Sequence, residues 1–386
     1  FPPTHPPSLR ALPPTNRTTN RIVRPVPPLT QGHQSSPPSC DTLGVLQNLP
    51  ESLFHNFPPS LAASASKAAA ADEATGSPPP PVDEKLLAAT REWGFNLHEI
   101  AFDDLPGLCY AVITQHPEVA ACGIDTAKLW RYVLAVSQRY RRNAFHSFRH
   151  AVDVTICASY FVRAAQHAHA ADFADPLVVA ATVVAAMAHD IEHPAVMNAY
   201  LIATSHPLAV LYNGRSVLEN HHSATAIAMA LRPELNFLCG MAAKEADAFR
   251  KHMVTAILAT DVMTHIPFKK DWEARLEQGE AMPADIIMQM ILKASDISNP
   301  ARSLEVYQPW IDAVMLEFFA QGDAERELGL PISMNCDRHT VKTAACQVGF
   351  ISFIVAPVYS ALVRWLPEEA HLAKQLDANK AHFQAA

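Results

Sequence analysis

A chain of 386 residues, 49% of them hydrophobic, is long enough to bury a sizeable core in one large domain or two ordinary ones. Its net charge of −8, from 30 Lys and Arg against 38 Asp and Glu, argues against the basic surface that nucleic acid or an anionic membrane calls for. Seven scattered cysteines with no C-x-x-C pair argue against a disulfide framework and for reduced thiols in a cytoplasmic compartment.

Residues 1–83 read as a disordered Pro/Ser/Ala-rich leader. Of the 31 prolines, 18 fall in the first 81 positions, an Ala-rich stretch covers 62–71, and four prolines close the segment. Such a composition cannot bury enough apolar area to offset the entropy of ordering it. Arg10, Arg17, Arg21 and Arg24 precede any acidic residue, as in an organelle transit peptide. The density of proline opposes an amphipathic helix, so the cytoplasm is the expected location. Asn16-Arg17-Thr18 fits a glycosylation acceptor, which matters only in a secreted chain.

From residue 84 onward the pattern is helical. Glycines number only 12, hairpin dipeptides are nearly absent, and apolar residues recur at helical spacing, which predicts one all-α domain over 84–386. Asp125 is placed to cap a helix beginning at Thr126. The apolar run 177–188 is too short to span a bilayer and ends in His189-Asp190. Runs 254–258, 286–292 and 344–355 are apolar all round and read as core helices. Pro357 is expected to interrupt the apolar stretch 350–363, leaving no transmembrane segment.

Nineteen histidines include compact clusters with carboxylates. His146 and His150 are four apart, on one face if that stretch is helical, and Asp153 lies a turn further on. His189-Asp190 precedes His193, Glu219-Asn220-His221-His222 forms a third cluster, and Asp296 ends an apolar helix. A buried carboxylate without a counter-charge is costly, and a divalent cation satisfies several at once. Imidazole with carboxylate suits Zn²⁺; carboxylate with water suits Mg²⁺ or Mn²⁺. A lone His is usually an ordinary core or surface residue, but H-x3-H, H-D-x2-H-P, E-N-H-H and D-x-S-N-P in one chain are hard to assemble by chance. Further on, Gln347 and Phe350 are three apart, so an amide that donates and accepts can share a helix face with a ring that stacks on a base.

The run from Tyr140 to Ala151, His189-Asp190-Ile191-Glu192-His193-Pro194, Leu218-Glu219-Asn220-His221-His222, Leu258-Ala259-Thr260-Asp261, Asp296-Ile297-Ser298-Asn299-Pro300 and Gln347-Val348-Gly349-Phe350 span almost all of 84–386. In these segments the chain resembles the catalytic domain of class I 3′,5′-cyclic-nucleotide phosphodiesterases, within the HD-domain superfamily. The resemblance implies a compact multi-helix fold around a central binuclear metal pocket. It implies zinc on His150, His189, Asp190 and Asp296, and a second ion, Mg²⁺ or Mn²⁺, reached by Asp190. It further implies a metal-bridging hydroxide as nucleophile and His146 as general acid. His193, Asn198, Glu219 and Thr260 would orient waters and ligands. Gln347 would bind the purine, Phe350 and Val314 would clamp it, and Phe145 and Asn299 would line the pocket. His221 and His222 are taken as structural.

Three positions depart from the family pattern: Ser147 for the Asn after His146, Ala195 for the Gly of H-P-G, and Val262 for the Met of A-T-D-M. None removes a ligand. The implied activity is hydrolysis of cyclic AMP, cyclic GMP or both to 5′-monophosphates, ending a signal. One alternative is an HD-domain hydrolase of another nucleotide phosphate ester, which a triphosphate-binding set of Lys and Arg would favour. The other is a non-catalytic nucleotide-binding scaffold, which predicts a lost ligand. The purine's identity and the oligomeric state stay open, a homodimer being allowed.

Overall fold

The computed structural model describes residues 77–385, so the leader's expected disorder, the Asn16 acceptor and the Arg-rich start lie outside the described residues. Residues 77–83, counted with the leader by composition, already run along the body. The Trp130 indole donates to the Ser77 carbonyl at 2.9 Å, and Val82 packs against the core.

The helices begin where capping chemistry places them. Asp83 accepts from the amides of Lys85 and Leu86 at the start of α1 (Glu84–Ala89). After α2 (Leu105–Thr114) and α3 (Pro117–Ala121), Asp125 caps α4 (Thr126–Arg139) through Lys128 N at 3.0 Å, as expected. The long α5 (Phe148–Ala168) and α6 (Pro176–Ala188) follow. Every residue of α6 from Val178 to Ala188 is buried. Its Ala and Val side chains let α6 lie close between α5 and α10 (Ala243–Leu258), reached after the short α7 (Asn198–Ala203) and α8 (Pro207–Leu211) and the longer α9 (Val217–Ala230). Because α6 is buried on every side, it delivers His189-Asp190 into the protein rather than to solvent.

The remainder comprises α11 (His265–Gln278), α12 (Ala284–Asp296), α13 (Leu304–Glu327), α14 (Thr343–Phe350), α15 (Ala356–Trp365) and α16 (Ala370–Ala385). No strand occurs among the described residues, in keeping with the all-α expectation.

The effect of Pro357 is a correction. It does not break the chain: Thr343–Trp365 is continuous, with a π-helical segment Ile351–Val355 joining α14 to α15. The wider π turn accommodates a proline that has no N–H to give and whose ring would otherwise strike the carbonyl one turn back. The joined helix is 23 residues of hydropathy 1.8, long and apolar enough by composition to cross a bilayer. Its buried stripe of Gln347, Ile351, Val355, Tyr359 and Leu362 instead belongs to the core, packed towards α11 and α16.

Candidate active site

Three helix ends, the start of α5 and the ends of α6 and α12, converge on the His/Asp cluster. His189 caps the C-terminus of α6 and its Nδ1 donates to the Ala186 carbonyl at 2.8 Å, which leaves Nε2 free to face inward. The Tyr140 hydroxyl donates to the Met187 carbonyl at 2.9 Å and accepts from the Asp190 amide at 3.1 Å, securing the turn that holds Asp190. His150 comes from the first turns of α5, and Asp296 is the last residue of α12.

Asp296 Oδ1 lies 3.1 Å from His150 Nε2 and 3.2 Å from His189 Nε2. Asp190 Oδ2 lies 3.5 Å and 3.2 Å from the same two nitrogens. One ligand atom from each of the four residues falls within 4.8 Å of the others. Two imidazole nitrogens and two carboxylate oxygens meeting at one buried point, with no Lys or Arg among them, make a donor set that fits a zinc-type cation.

A second group, Asp190, His193 and His222, meets the same distance limit. His222 Nδ1 donates to the Ile191 carbonyl at 2.6 Å, while its buried Nε2 has no hydrogen-bond partner and faces Asp190 Oδ1 at 3.7 Å. That orphaned nitrogen fits a hydrated second cation. His222 therefore stands in the candidate second group, whereas the sequence reading makes it structural. His221 matches the structural reading: its Nε2 pairs with Glu192 at 2.9 Å, and Glu192 also meets Arg139 at 3.0 Å.

His146 is placed differently from its sequence expectation. Ser147 is extended (φ −120°, ψ 174°) and α5 starts only at Phe148, so His146 lies on the preceding loop rather than on a shared helix face. Its ring is nonetheless 6.0 Å from that of His150. Glu317 on α13 holds this loop. One of its oxygens accepts from the amides of Phe145 (2.7 Å) and His146 (3.0 Å), and the other pairs with His146 Nδ1 at 2.5 Å. Sequence reasoning missed Glu317. The available signal was a lone carboxylate in the apolar run Val314-Met315-Leu316-Glu317-Phe318-Phe319.

The electrostatics separate two stacked imidazoles. The rings of His146 and His193 lie 3.8 Å apart at 14°. Burial disfavours a charged His146, but the Glu317 carboxylate more than offsets it and raises its pKa above the usual value. For His193, burial and then the neighbouring His146 charge push the pKa well below the usual value. The Ala195 amide donates to His193 Nδ1 at 3.0 Å, so the neutral ring carries its proton on Nε2.

Ala195 adopts φ +61°, in the left-handed region. A side chain there costs about 1–2 kcal/mol, which glycine avoids. Ala195→Gly is expected to raise unfolding stability by about 1 kcal/mol, some of the gain being lost to the freer unfolded chain. Urea unfolding checks it, and a variant no more stable than the parent would contradict the strain assignment.

The remaining predicted residues are dispersed around this centre. Asn198 Nδ2 donates to Glu219 at 3.0 Å and its Oδ1 accepts from Leu218 N at 2.9 Å; burial pushes the Glu219 carboxyl up to about 7. The Thr260 hydroxyl donates to the Ile257 carbonyl at 2.8 Å. Phe145 packs on His150, ring centroids 4.6 Å apart. Asn299 is buried and donates to Asp153 at 3.3 Å. Gln347 is buried, and the Tyr307 hydroxyl donates to its Oε1, leaving Nε2 to donate elsewhere. Phe350 and Val314 are half-buried against the core. Tyr307, Val314 and Glu317 recur at helical spacing on α13, so one helix carries groups that touch Gln347 at one end and His146 at the other, about 15 Å apart along its axis.

Comparison with known proteins gives a consistent result. The family described as 3′,5′-cyclic nucleotide phosphodiesterase matches residues 145–376. A probable 3′,5′-cyclic-AMP phosphodiesterase of Caenorhabditis elegans is 32% identical over 310 residues, 76% of this chain and 46% of that protein. A dual specificity calcium/calmodulin-dependent 3′,5′-cyclic nucleotide phosphodiesterase of Mus musculus is 35% identical over 271 residues, 69% of this chain and 50% of that protein. The chain thus spans about half the length of the curated relatives it matches. Among solved structures, the phosphodiesterase domain of a Salpingoeca rosetta rhodopsin phosphodiesterase superposes with a TM-score of 0.72 at 28% identity, covering 79% of this chain and 94% of that one.

Proposed function

Because this chain belongs to the 3′,5′-cyclic nucleotide phosphodiesterase family, we propose that it hydrolyses cyclic AMP, cyclic GMP or both to nucleoside 5′-monophosphates. The observation that carries the reading is the meeting of His150, His189, Asp190 and Asp296 within 4.8 Å beside a histidine held by Glu317. The donor set suits zinc at the four-residue site and Mg²⁺ or Mn²⁺ beside Asp190, His193 and His222. When bound, such ions supply positive charge for the phosphoryl oxygens and a water of lowered pKa.

The chain's own groups handle the proton. Glu317 occupies Nδ1 of His146 and favours the imidazolium, so the proton on Nε2 is the one available to the leaving oxygen. Water adds to phosphorus, the P–O3′ bond breaks and O3′ takes the Nε2 proton to become a hydroxyl, while the proton released from the attacking water restores His146. Neutral His193, its Nε2–H free, and the Asn198–Glu219 pair are placed to orient water about Asp190. Gln347 Nε2 donates to an acceptor on the purine edge, with Phe350 and Val314 against its faces. The six unpaired cysteines among the described residues support a reducing, cytoplasmic setting.

Side-by-side incubation of both cyclic nucleotides with protein loaded with Zn²⁺ and Mg²⁺ tests the proposal. Release of a 5′-monophosphate from at least one is expected, and release from neither would overturn it.

A further inference from the structure

Behind the metal cluster lies a buried ion pair that no step above uses. Asp153 sits one turn beyond His150 on α5 and receives Arg302 Nη1 at 2.8 Å and Nη2 at 3.0 Å. Both side chains are almost wholly enclosed, at 1% and 2% exposure. Arg302 stands at the end of the turn that leaves Asp296, so the pair joins the helix holding one ligand to the turn that follows another.

The turn is held from other sides as well. The Trp93 indole donates to the Ala301 carbonyl at 2.9 Å, and the guanidinium lies 5.4 Å above the Trp93 ring. Asn379 on α16 donates to the carbonyls of Pro300 and Arg302, each at 2.7 Å. Asn299, expected to line the pocket, directs its amide at Asp153. The Trp93 and Asn379 contacts anchor the backbone of the turn, while the Arg302 fork, with the Asn299 amide and the Cys157–Ser298 contact at 3.4 Å beside it, sets its spacing from α5.

Stability alone explains such a pair poorly, because withdrawing two charges from water offsets most of their attraction and apolar packing often serves as well. The two-pronged contact contributes orientation: a guanidinium fork on a carboxylate fixes angle as well as distance. Asp296 Oδ1 faces His150 Nε2 and His189 Nε2 at nearly equal distances, so a slip of the turn would disturb both contacts together.

We propose that Asp153 and Arg302 are positioning residues that set His150 against Asp296 and thereby tune the affinity and geometry of the four-residue metal site. This rests on the metal reading above and assigns the pair no contact with substrate. Partners behind metal ligands typically change affinity 10–100-fold when removed.

The test uses chelator-stripped protein titrated with Zn²⁺ and, separately, Co²⁺. Arg302→Met is expected to weaken zinc binding by roughly 10–100-fold and to shift the visible absorption bands of bound Co²⁺. Arg302→Lys, which keeps the charge but not the fork, should fall between the two. Unchanged zinc affinity and Co²⁺ bands in Arg302→Met would overturn the proposal, whatever the melting temperature of the metal-free protein. Should Arg302→Met not fold, Asp153→Asn takes its place with the same two readouts and the same deciding outcomes. If the parent itself binds neither metal, it is the metal reading that fails.

Discussion

His146→Ala is expected to lower kcat by about 10²–10⁴-fold while zinc content stays near that of the parent. The separation of the two effects follows from the geometry. His146 stands outside the four residues whose ligand atoms come within 4.8 Å, and its Nδ1 is occupied by Glu317. Metal analysis alongside steady-state kinetics checks it, and a parallel loss of zinc would remove the general-acid assignment.

The pH dependence sharpens the same argument. Burial alone would lower the His146 pKa, and the Glu317 carboxylate reverses that. A general acid works in its protonated form, so kcat should fall as pH rises through a pKa lying above the ordinary value of about 6.5. Glu317→Gln keeps a hydrogen-bonding shape but removes the charge that does the raising. Its alkaline limb should therefore move to lower pH. A limb that stays in place would show that Glu317 is not what holds the proton on His146.

Asp296→Ala should lose both metal and activity. One oxygen of this side chain faces two ligand imidazoles, and its carboxylate is half of the negative charge that a buried cation would meet at the four-residue site. Since partners one layer out already cost 10–100-fold in affinity, loss of a ligand should weaken zinc by more than roughly 100-fold. Activity should fall at least as far when metal is limiting and recover only partly in excess zinc. A zinc-replete, active Asp296→Ala protein would take Asp296 out of the ligand set.

Much of this site was legible in sequence because its ligands sit at the ends of apolar helices. The run 177–188 has a single polar residue, Thr182, whose hydroxyl bonds back to the Val178 carbonyl within the helix, so nothing in it turns a face outward and whatever follows it must be met inside the protein. His189-Asp190 and the apolar helix ending at Asp296 could be read in that way, and their meeting became the expectation. Glu317 could not be paired with His146 by pattern, because 171 residues separate them and their contact exists only once α13 crosses the loop before α5. His222 is a related case. Its neighbour His221 pairs with Glu192, while the adjacent position on α9 turns to the Asp190 side, a difference of about 100° around a helix.

Local rules also failed where a tertiary solution was available. Pro357 opposes an α-helix, yet a π segment of five residues carries the chain past it, and the surrounding core stabilises the longer helix. Ala195 opposes the left-handed backbone that its turn adopts, and the Ala195 amide bonded to His193 keeps it there. His146 left the helix face suggested by i, i+4 spacing because Ser147 is extended.

By itself, then, the sequence determined the helical class and the His and Asp pairs at the ends of apolar runs, since periodicity and side-chain chemistry are local properties, while the set of four ligands and the purine-binding groups are what the family resemblance implies. Only the tertiary structure decided which carboxylate holds His146, which of two adjacent histidines faces Asp190, and that Asp153 and Arg302 join α5 to the turn after Asp296. Those outcomes depend on the distance between residues far apart in the chain, which burial of the shared core sets and no local pattern encodes.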